Sequence, residues 1–131
     1  MGYQPRWSPD NSTIAFLRGD ASAFLMNPDG SNQRFVTSLP GAPSGQPTLR
    51  WSPRDSFLAL MTGDTLIVRQ EAGPQTTVPG LPPILGDFDW SPDGRHLGVQ
   101  GTASAMADQD LWIVGPNDAG TPLAAVEQVL G

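Results

Sequence analysis

The sequence predicts an all-β protein made of three copies of one four-stranded unit. A tetrapeptide that reads Trp-Ser-Pro-Asp, or a close variant, occurs three times, starting at Trp7, Trp51 and Trp90, so the copies are 44 and 39 residues apart. Short apolar runs bounded by Gly, Pro, Asn and Asp follow each copy, which is typical of strands joined by turns. A period of about forty residues favours one propeller blade per copy. The predicted fold is a partial β-propeller of three four-stranded antiparallel blades.

Each unit begins with a short run that ends in the repeated tryptophan. The Ser-Pro-Asp that follows predicts a tight turn, because proline presets the backbone for the second turn position and aspartate can bond its own backbone. Gly94 closes the turn of the third copy, where glycine permits a positive φ. We expect the tryptophans, and also Trp112, to pack in the core rather than to stack on a ligand. The structural residues of the repeat are Trp7, Pro9, Asp10, Trp51, Pro53, Trp90, Pro92 and Asp93.

Three further strands follow the turn in every unit, the last of them weaker than the others. Residues 123–130 also have helix propensity, so the end of the third unit is left open between strand and helix. The predicted strands cover 3–7, 13–17, 23–26 and 33–37 in the first unit, 48–51, 56–61, 65–68 and 75–78 in the second, and 87–90, 96–99, 111–114 and 121–126 in the third.

The repeat resembles the TolB-type propeller repeat, a WD-like repeat that reads Trp-Ser-Pro-Asp-Gly, then Ile-Ala-Phe, then an Asp-Gly turn. Residues 7–10, 14–16, 24–30 and 34–37 carry the resemblance most fully, while Asn11, residues 54–55 and residues 70–73 depart from the pattern. The resemblance implies a six-bladed ring that serves as a protein-interaction platform, in an extracytoplasmic or periplasmic setting. The chain would then be one propeller arc over residues 1–131, with units at about 3–39, 46–80 and 84–126.

A closed propeller needs roughly four to eight blades, and this sequence supplies three. The first and third units would each expose an apolar face that a soluble monomer rarely tolerates. If identical chains complete the ring, six is the only multiple of three in the usual range, so two chains related by a two-fold axis would close it. We therefore expect a homodimer in which the third unit of each chain packs on the first unit of its partner.

The alternative is that the chain is a fragment of a longer TolB-like propeller protein, whose other blades cover the same faces. In that case it could be the gating or interaction domain of an extracytoplasmic protein or of a prolyl-peptidase-like enzyme. The sequence is compatible with both interpretations.

Composition excludes several classes of partner. The net charge is −6, from 13 acidic and 7 basic residues, and all the basic residues are arginine. Nucleic acids and anionic membrane surfaces attract clustered cations, which this sequence lacks, so neither is an expected partner. No apolar run is long enough to span a membrane, and the first residues have no basic leader or apolar core of a signal peptide.

No enzymatic activity and no cofactor are expected. The sequence has no cysteine and no lysine, which removes thiolate and Schiff-base chemistry. His96 is the single histidine, with no cysteine or second histidine to share a metal ion. No G-x-S-x-G motif is present to form a nucleophile elbow. A binding or assembly scaffold is therefore the expected function.

Charged residues beside the repeat tryptophans are the candidate binding residues. Arg6, Arg50 and Asp89 each precede a repeat tryptophan. They are expected to face one direction on the innermost strands, because side chains at equivalent strand positions share a face. In a closed ring they would line or flank the central channel, where a polar ligand could bind.

Two carboxylate pairs are the other candidates. Asp87 and Asp89, like Asp108 and Asp110, lie two residues apart and so on one side of a strand. Such pairs suit calcium, but both lack the glycine and distant glutamate of a calcium loop, so turn capping or pairing with arginine is expected instead of metal binding. The loop over residues 100–110 is longer than its counterparts and is the candidate recognition element.

Overall fold

The computed structural model describes residues 2–19, 22–38, 48–54, 57–62, 64–70, 75–104, 110–116, 123 and 125–130. Within these ranges the backbone forms twelve strands in three four-stranded antiparallel sheets, and no helix. The all-β prediction is therefore confirmed. In each sheet every strand pairs with the next strand along the chain, so each sheet is a simple meander.

The sheets follow one another in the chain and are named the first, middle and last sheet. The first sheet contains β1 (Gly2–Trp7), β2 (Ile14–Arg18), β3 (Ser22–Met26) and β4 (Arg34–Ser38). The middle sheet contains β5 (Thr48–Trp51), β6 (Phe57–Met61), β7 (Leu66–Gln70) and β8 (Gln75–Thr77). The last sheet contains β9 (Ile84–Trp90), β10 (Leu97–Thr102), β11 (Asp110–Gly115) and β12 (Ala125–Leu130).

The end of the chain differs from both sequence-based expectations. β12 covers Ala125–Leu130, later than the predicted strand over 121–126, whose residues 121, 122 and 124 lie outside the described ranges. The helix considered for residues 123–130 is wrong, because this segment pairs antiparallel with β11. An isolated helix of that length has marginal stability, so hydrogen bonding to the open edge of β11 overrides local helix propensity.

The middle sheet is buried on both faces. Side chains alternate between the faces of a strand, so a strand covered on both sides carries a continuous apolar run. In β6, Leu58 and Leu60 pack toward the first sheet, whereas Ala59 and Met61 pack toward the last sheet. The single run Phe-Leu-Ala-Leu-Met thus supplies two separate cores.

Two apolar clusters hold the three sheets together, one on each side of the middle sheet. The cluster shared by the first and middle sheets contains Ala15, Leu17, Ala23, Leu25, Val36, Leu49, Trp51, Leu58, Leu60 and Ile67. The cluster shared by the middle and last sheets contains Ala59, Met61, Leu66, Val68, Val78, Leu85, Phe88, Trp90, Leu97, Val99, Val114 and Leu123.

The turns after the repeat tryptophans close through the backbone. In the first sheet the Ser8 amide donates to the Thr13 carbonyl (2.8 Å) and the Asn11 amide donates to the Ser8 carbonyl (3.0 Å). Asn11 departs from the glycine expected there, yet it adopts φ of 63°, close to the 72° of Gly94 in the third turn. Asparagine tolerates this left-handed region better than most residues, so the turn is retained.

Gly94→Ala should lower the free energy of unfolding by roughly 1–3 kcal/mol, because alanine is strained at positive φ. A methyl group there would also overlap the hydroxyl of Ser52 in the neighbouring turn. Gly98→Ala is the matched control, since a Cβ at Gly98 meets nothing within 4 Å and Ala15 and Ala59 occupy the corresponding places in the other sheets. Urea titrations measure the difference, and equal unfolding midpoints for the two variants would contradict this account of the turn.

Candidate functional site

An open cleft of about 430 Å³ runs along the ends of β1, β5 and β9, the first strands of the three sheets. Each of these three strands ends in a repeat tryptophan, so one copy of the motif from each sheet lies along the cleft. The cleft brings together three of the candidate binding residues, one from each sheet. Its lining consists of Arg6, Trp7, Arg50, Trp51, Pro53, Asp89, Trp90 and Pro92.

Two of the tryptophans link consecutive sheets. The Trp51 indole N–H of the middle sheet donates to the Arg6 carbonyl of the first sheet (3.0 Å). The Trp90 indole N–H of the last sheet donates in the same way to the Arg50 carbonyl of the middle sheet (3.0 Å). Both side chains are buried, with 9% and 8% of their surface exposed. Each therefore buries a large apolar ring while its polar group stays bonded.

Trp7 occupies the equivalent position in the first sheet, but within the single chain it does not pack between two sheets as Trp51 and Trp90 do. Its side chain is 53% exposed, because none of the three described sheets packs on the face of β1 that carries it. No described residue accepts a hydrogen bond from its indole N–H. Trp112 is only partly buried, against the apolar cluster shared by the middle and last sheets. Its indole nitrogen has no hydrogen-bond partner among the described residues.

Arg50 joins the middle sheet to the last sheet. Its guanidinium donates to the Phe88 carbonyl (2.8 Å) and lies 3.5 Å from an Asp87 carboxylate oxygen and 3.7 Å from an Asp89 carboxylate oxygen. The two carboxylates also accept bonds from the backbone amides of Phe88 and Trp90. These carboxylates thus serve an arginine and their own backbone. Among the described residues no three metal-ligating side chains cluster.

Arg6 occupies the equivalent position in the first sheet and has different surroundings. Its guanidinium donates to the carbonyl of the adjacent Pro5 (3.0 Å), and no carboxylate within the described ranges lies within ion-pair distance. The middle-sheet positions equivalent to Asp87 and Asp89 are Thr48 and Arg50, so no acid faces Arg6 there. Among the described residues, the cleft therefore contains an arginine without a counter-ion at its own junction.

The remaining candidate residues lie elsewhere. Asp110, on β11, accepts a bond from the Gln128 side chain of β12 (3.0 Å) and does not line the cleft. Asp108 lies outside the described residues, as does most of the loop over 100–110, of which positions 105–109 are not described. The structure therefore brings Arg6, Arg50 and Asp89 together and leaves Asp110 apart.

The outer faces of the first and last sheets carry features that the sequence analysis did not single out. On the first sheet, the rings of Phe16, Phe24 and Phe35 contact one another in sequence, with centroids 5.7 Å apart in each pair. Phe35 is 56% exposed. On the last sheet, Leu111 and Ile113 are 45% and 41% exposed. The sequence does contain alternating aromatic and aliphatic residues that mark these apolar faces. Alternation alone does not show which face of a strand a neighbouring sheet covers.

The turn around His96 contains a serine, an aspartate and a histidine, but their hydrogen bonds are those of a turn. The Ser91 hydroxyl donates to Asp93 (2.5 Å) rather than to the imidazole, and the His96 Nδ1 lies 4.0 Å from the same carboxylate. The His96 ring packs on Gly115, where an added Cβ would lie 2.5 Å from it. A triad needs the base bonded to the nucleophile, so this arrangement does not activate Ser91.

Turn aspartates are held in their charged form. Hydrogen bonds from the Ser8 and Ser12 side chains, and from the Ser12 amide, lower the pKa of Asp10 to about 2 from 3.8. The Ser31 hydroxyl lowers the pKa of Asp29 in the turn between β3 and β4. The Ser91 hydroxyl does the same for the pKa of Asp93. Carboxylates that accept such bonds resist protonation, so these turns depend on ionised aspartate.

Stability should therefore fall as the pH drops from about 4 toward about 2, because in this window the unfolded chain binds protons that folded Asp10 does not. The stabilisation from Asp10 is present above about pH 4 and is lost as the pH approaches its folded pKa. Asp10→Asn should make the urea midpoint less sensitive to pH in this window than in the parent protein. An unchanged slope would contradict the role given to Asp10.

No protein-family model matches the chain, and a search of curated proteins finds no match. Within the described part of the chain, no helix is long and apolar enough to cross a membrane.

Proposed function

We propose that the chain is a non-catalytic assembly scaffold, in which the three sheets are three consecutive blades of a TolB-like β-propeller. Two copies, related by a two-fold axis, close a six-bladed ring. The observation that carries this proposal is the difference between Trp7 and its two counterparts. Trp51 and Trp90 are buried against the preceding sheet, whereas Trp7 has the same position in the repeat and none of the described sheets covers it.

The internal junctions provide the pattern for the missing ones. Each tryptophan bonds to the carbonyl of the residue that precedes the tryptophan of the sheet before it. When the same relation is continued from the last sheet to a second copy, Trp7 of one chain donates to the carbonyl of Asp89 of the partner subunit. The two-fold axis generates this contact twice, so no tryptophan of the repeat is left without an acceptor.

The outer faces are suited to such contacts. By strand register, Leu111 and Ile113 lie on the face of the last sheet turned away from the middle sheet, and Gly98 occupies the small-residue position between its neighbours there. The internal junctions have Ala15 and Ala59 at that position, facing the incoming tryptophan. A small residue leaves room for the Trp7 indole. Two such junctions would bury roughly 2,000 Å² or more, the range of obligate dimers.

The proposed ring predicts a solution mass of twice the 13.9 kDa chain at micromolar concentration. Light scattering after size exclusion measures it. A monodisperse, folded monomer with both outer faces in water would overturn the proposal. A monomer that aggregates or lacks cooperative unfolding would instead indicate that the covering blades belong to another part of a longer protein, and self-closure would again be excluded.

Trp7→Ala and Trp51→Ala form a matched pair at equivalent repeat positions. Trp7→Ala should weaken dimerisation at least tenfold and change the stability of the monomer by less than about 1 kcal/mol, because this ring is half exposed in one chain. Trp51→Ala should cost about 3–5 kcal/mol of folding stability, because it empties a buried site. Sedimentation measures the first effect and urea unfolding the second. Equal losses of folding stability would show that Trp7 is an ordinary core residue.

A further inference from the structure

We infer that Arg6 of one chain and Asp89 of the partner subunit form an ion pair at each closing junction, and that this pair makes a second copy of the same chain the preferred occupant of the open faces. The inference rests on the proposed ring. It deepens that proposal by assigning the residues that select the partner, and it follows from how charge is distributed along the cleft.

The junction between the middle and last sheets supplies the precedent. Of two consecutive sheets, the earlier one in the chain is called the leading sheet, and the residue before its repeat tryptophan occupies the leading position. At this junction the leading residue is Arg50, which contacts Asp87 and Asp89 on the first strand of the following sheet. Its guanidinium also lies 5.4 Å from the centre of the Phe88 ring. A charged side chain at this position therefore contacts the residue at the same position in the next sheet.

The junction between the first and middle sheets does not repeat this pairing. Arg6 takes the leading position, and the corresponding residue in the following sheet is Arg50, which has the same charge. Arg50 is already paired with the last sheet. Like charges repel, so Arg6 gains no electrostatic stabilisation from Arg50.

The closing junction reverses the order of charges. Asp89 takes the leading position on the last sheet, and the next sheet in the ring is the first sheet of the second copy, whose residue at this position is Arg6. Arg6 of one chain, which has no carboxylate partner among the described residues, thus meets Asp89 of the other, whose side chain is 84% exposed in the single chain. Both junctions of the ring have this pairing, so a second copy complements the chain at both ends.

A foreign set of blades would need a carboxylate facing Arg6 and a cation facing Asp89 to match it. A small anionic ligand in the cleft would satisfy Arg6 but would leave Asp89 without a cation beyond Arg50. A second copy satisfies both groups with residues already in the sequence. Opposite charges at matching positions of the two open ends therefore favour the second copy.

The experiment uses two charge reversals, Arg6→Asp and Asp89→Arg, each alone and mixed in equal amounts. Alone, each variant places like charges at both junctions, so dimerisation should weaken roughly tenfold or more. In the mixture, one variant supplies acids at both positions and the other supplies arginines. A heterodimer then has two attractive junctions, and parent-like dimer affinity should return.

Asp87→Asn and Asp89→Asn are the matched controls for the local role of these acids. Both carboxylates contact Arg50 and accept a bond from the next backbone amide. Only the change at Asp89 removes a junction partner, so it alone should weaken dimerisation, by an amount that decreases at high salt. Equal effects of the two changes would overturn the inference.

Sedimentation equilibrium reads the dimer affinity, and urea unfolding confirms that each variant remains folded. If the parent protein is a dimer and the reversals leave its affinity unchanged, the inference fails while the ring stands. If each reversal weakens the dimer but the mixture does not recover, the charges do not act across the junction and the inference also fails. A parent protein that is monomeric overturns the ring itself.

Discussion

The three sheets depend on one repeated contact, a tryptophan ring buried between two sheets with its indole N–H bonded to the preceding sheet. Trp51 and Trp90 make this contact within the chain. Burial of so large a ring contributes the apolar stabilisation, while the hydrogen bond removes the cost of burying its N–H group. The acceptor is a backbone carbonyl, so the contact fixes the position of one sheet on the next regardless of which side chain precedes the tryptophan.

This contact is directional, and the direction explains why the two ends of the chain differ. At each junction within the chain, the later sheet supplies the tryptophan. The earlier sheet supplies the carbonyl that accepts its N–H and a small residue, Ala15 or Ala59, beside the ring. The first sheet therefore ends in an exposed Trp7, and the last sheet ends in an exposed face around Gly98 and Ile113. The proposed ring would pair these two faces between two copies of the chain.

The cleft shows how one strand position can have two roles. Arg6, Arg50 and Asp89 occupy the same place in three sheets, where their carbonyls or their side chains face the next sheet. The Arg6 and Arg50 carbonyls accept the indole N–H in the same way at the two junctions within the chain, so this contact does not depend on the side chain there. The side chains are then free to differ, and their order of two arginines followed by an aspartate leaves unlike charges at the two ends of the chain.

The sequence by itself determined the number of units, the all-β class and the turns, because these depend on short-range patterns such as Trp-Ser-Pro-Asp and runs of apolar residues. It also placed Arg6, Arg50 and Asp89 at equivalent positions. Only the tertiary structure decided that Trp7 is exposed, that Arg50 pairs with both Asp87 and Asp89, and that residues 125–130 form a strand. Those outcomes depend on which sheet covers which face. The alternation of apolar and polar residues along a strand is the same whether the apolar face packs against another sheet or is exposed to water.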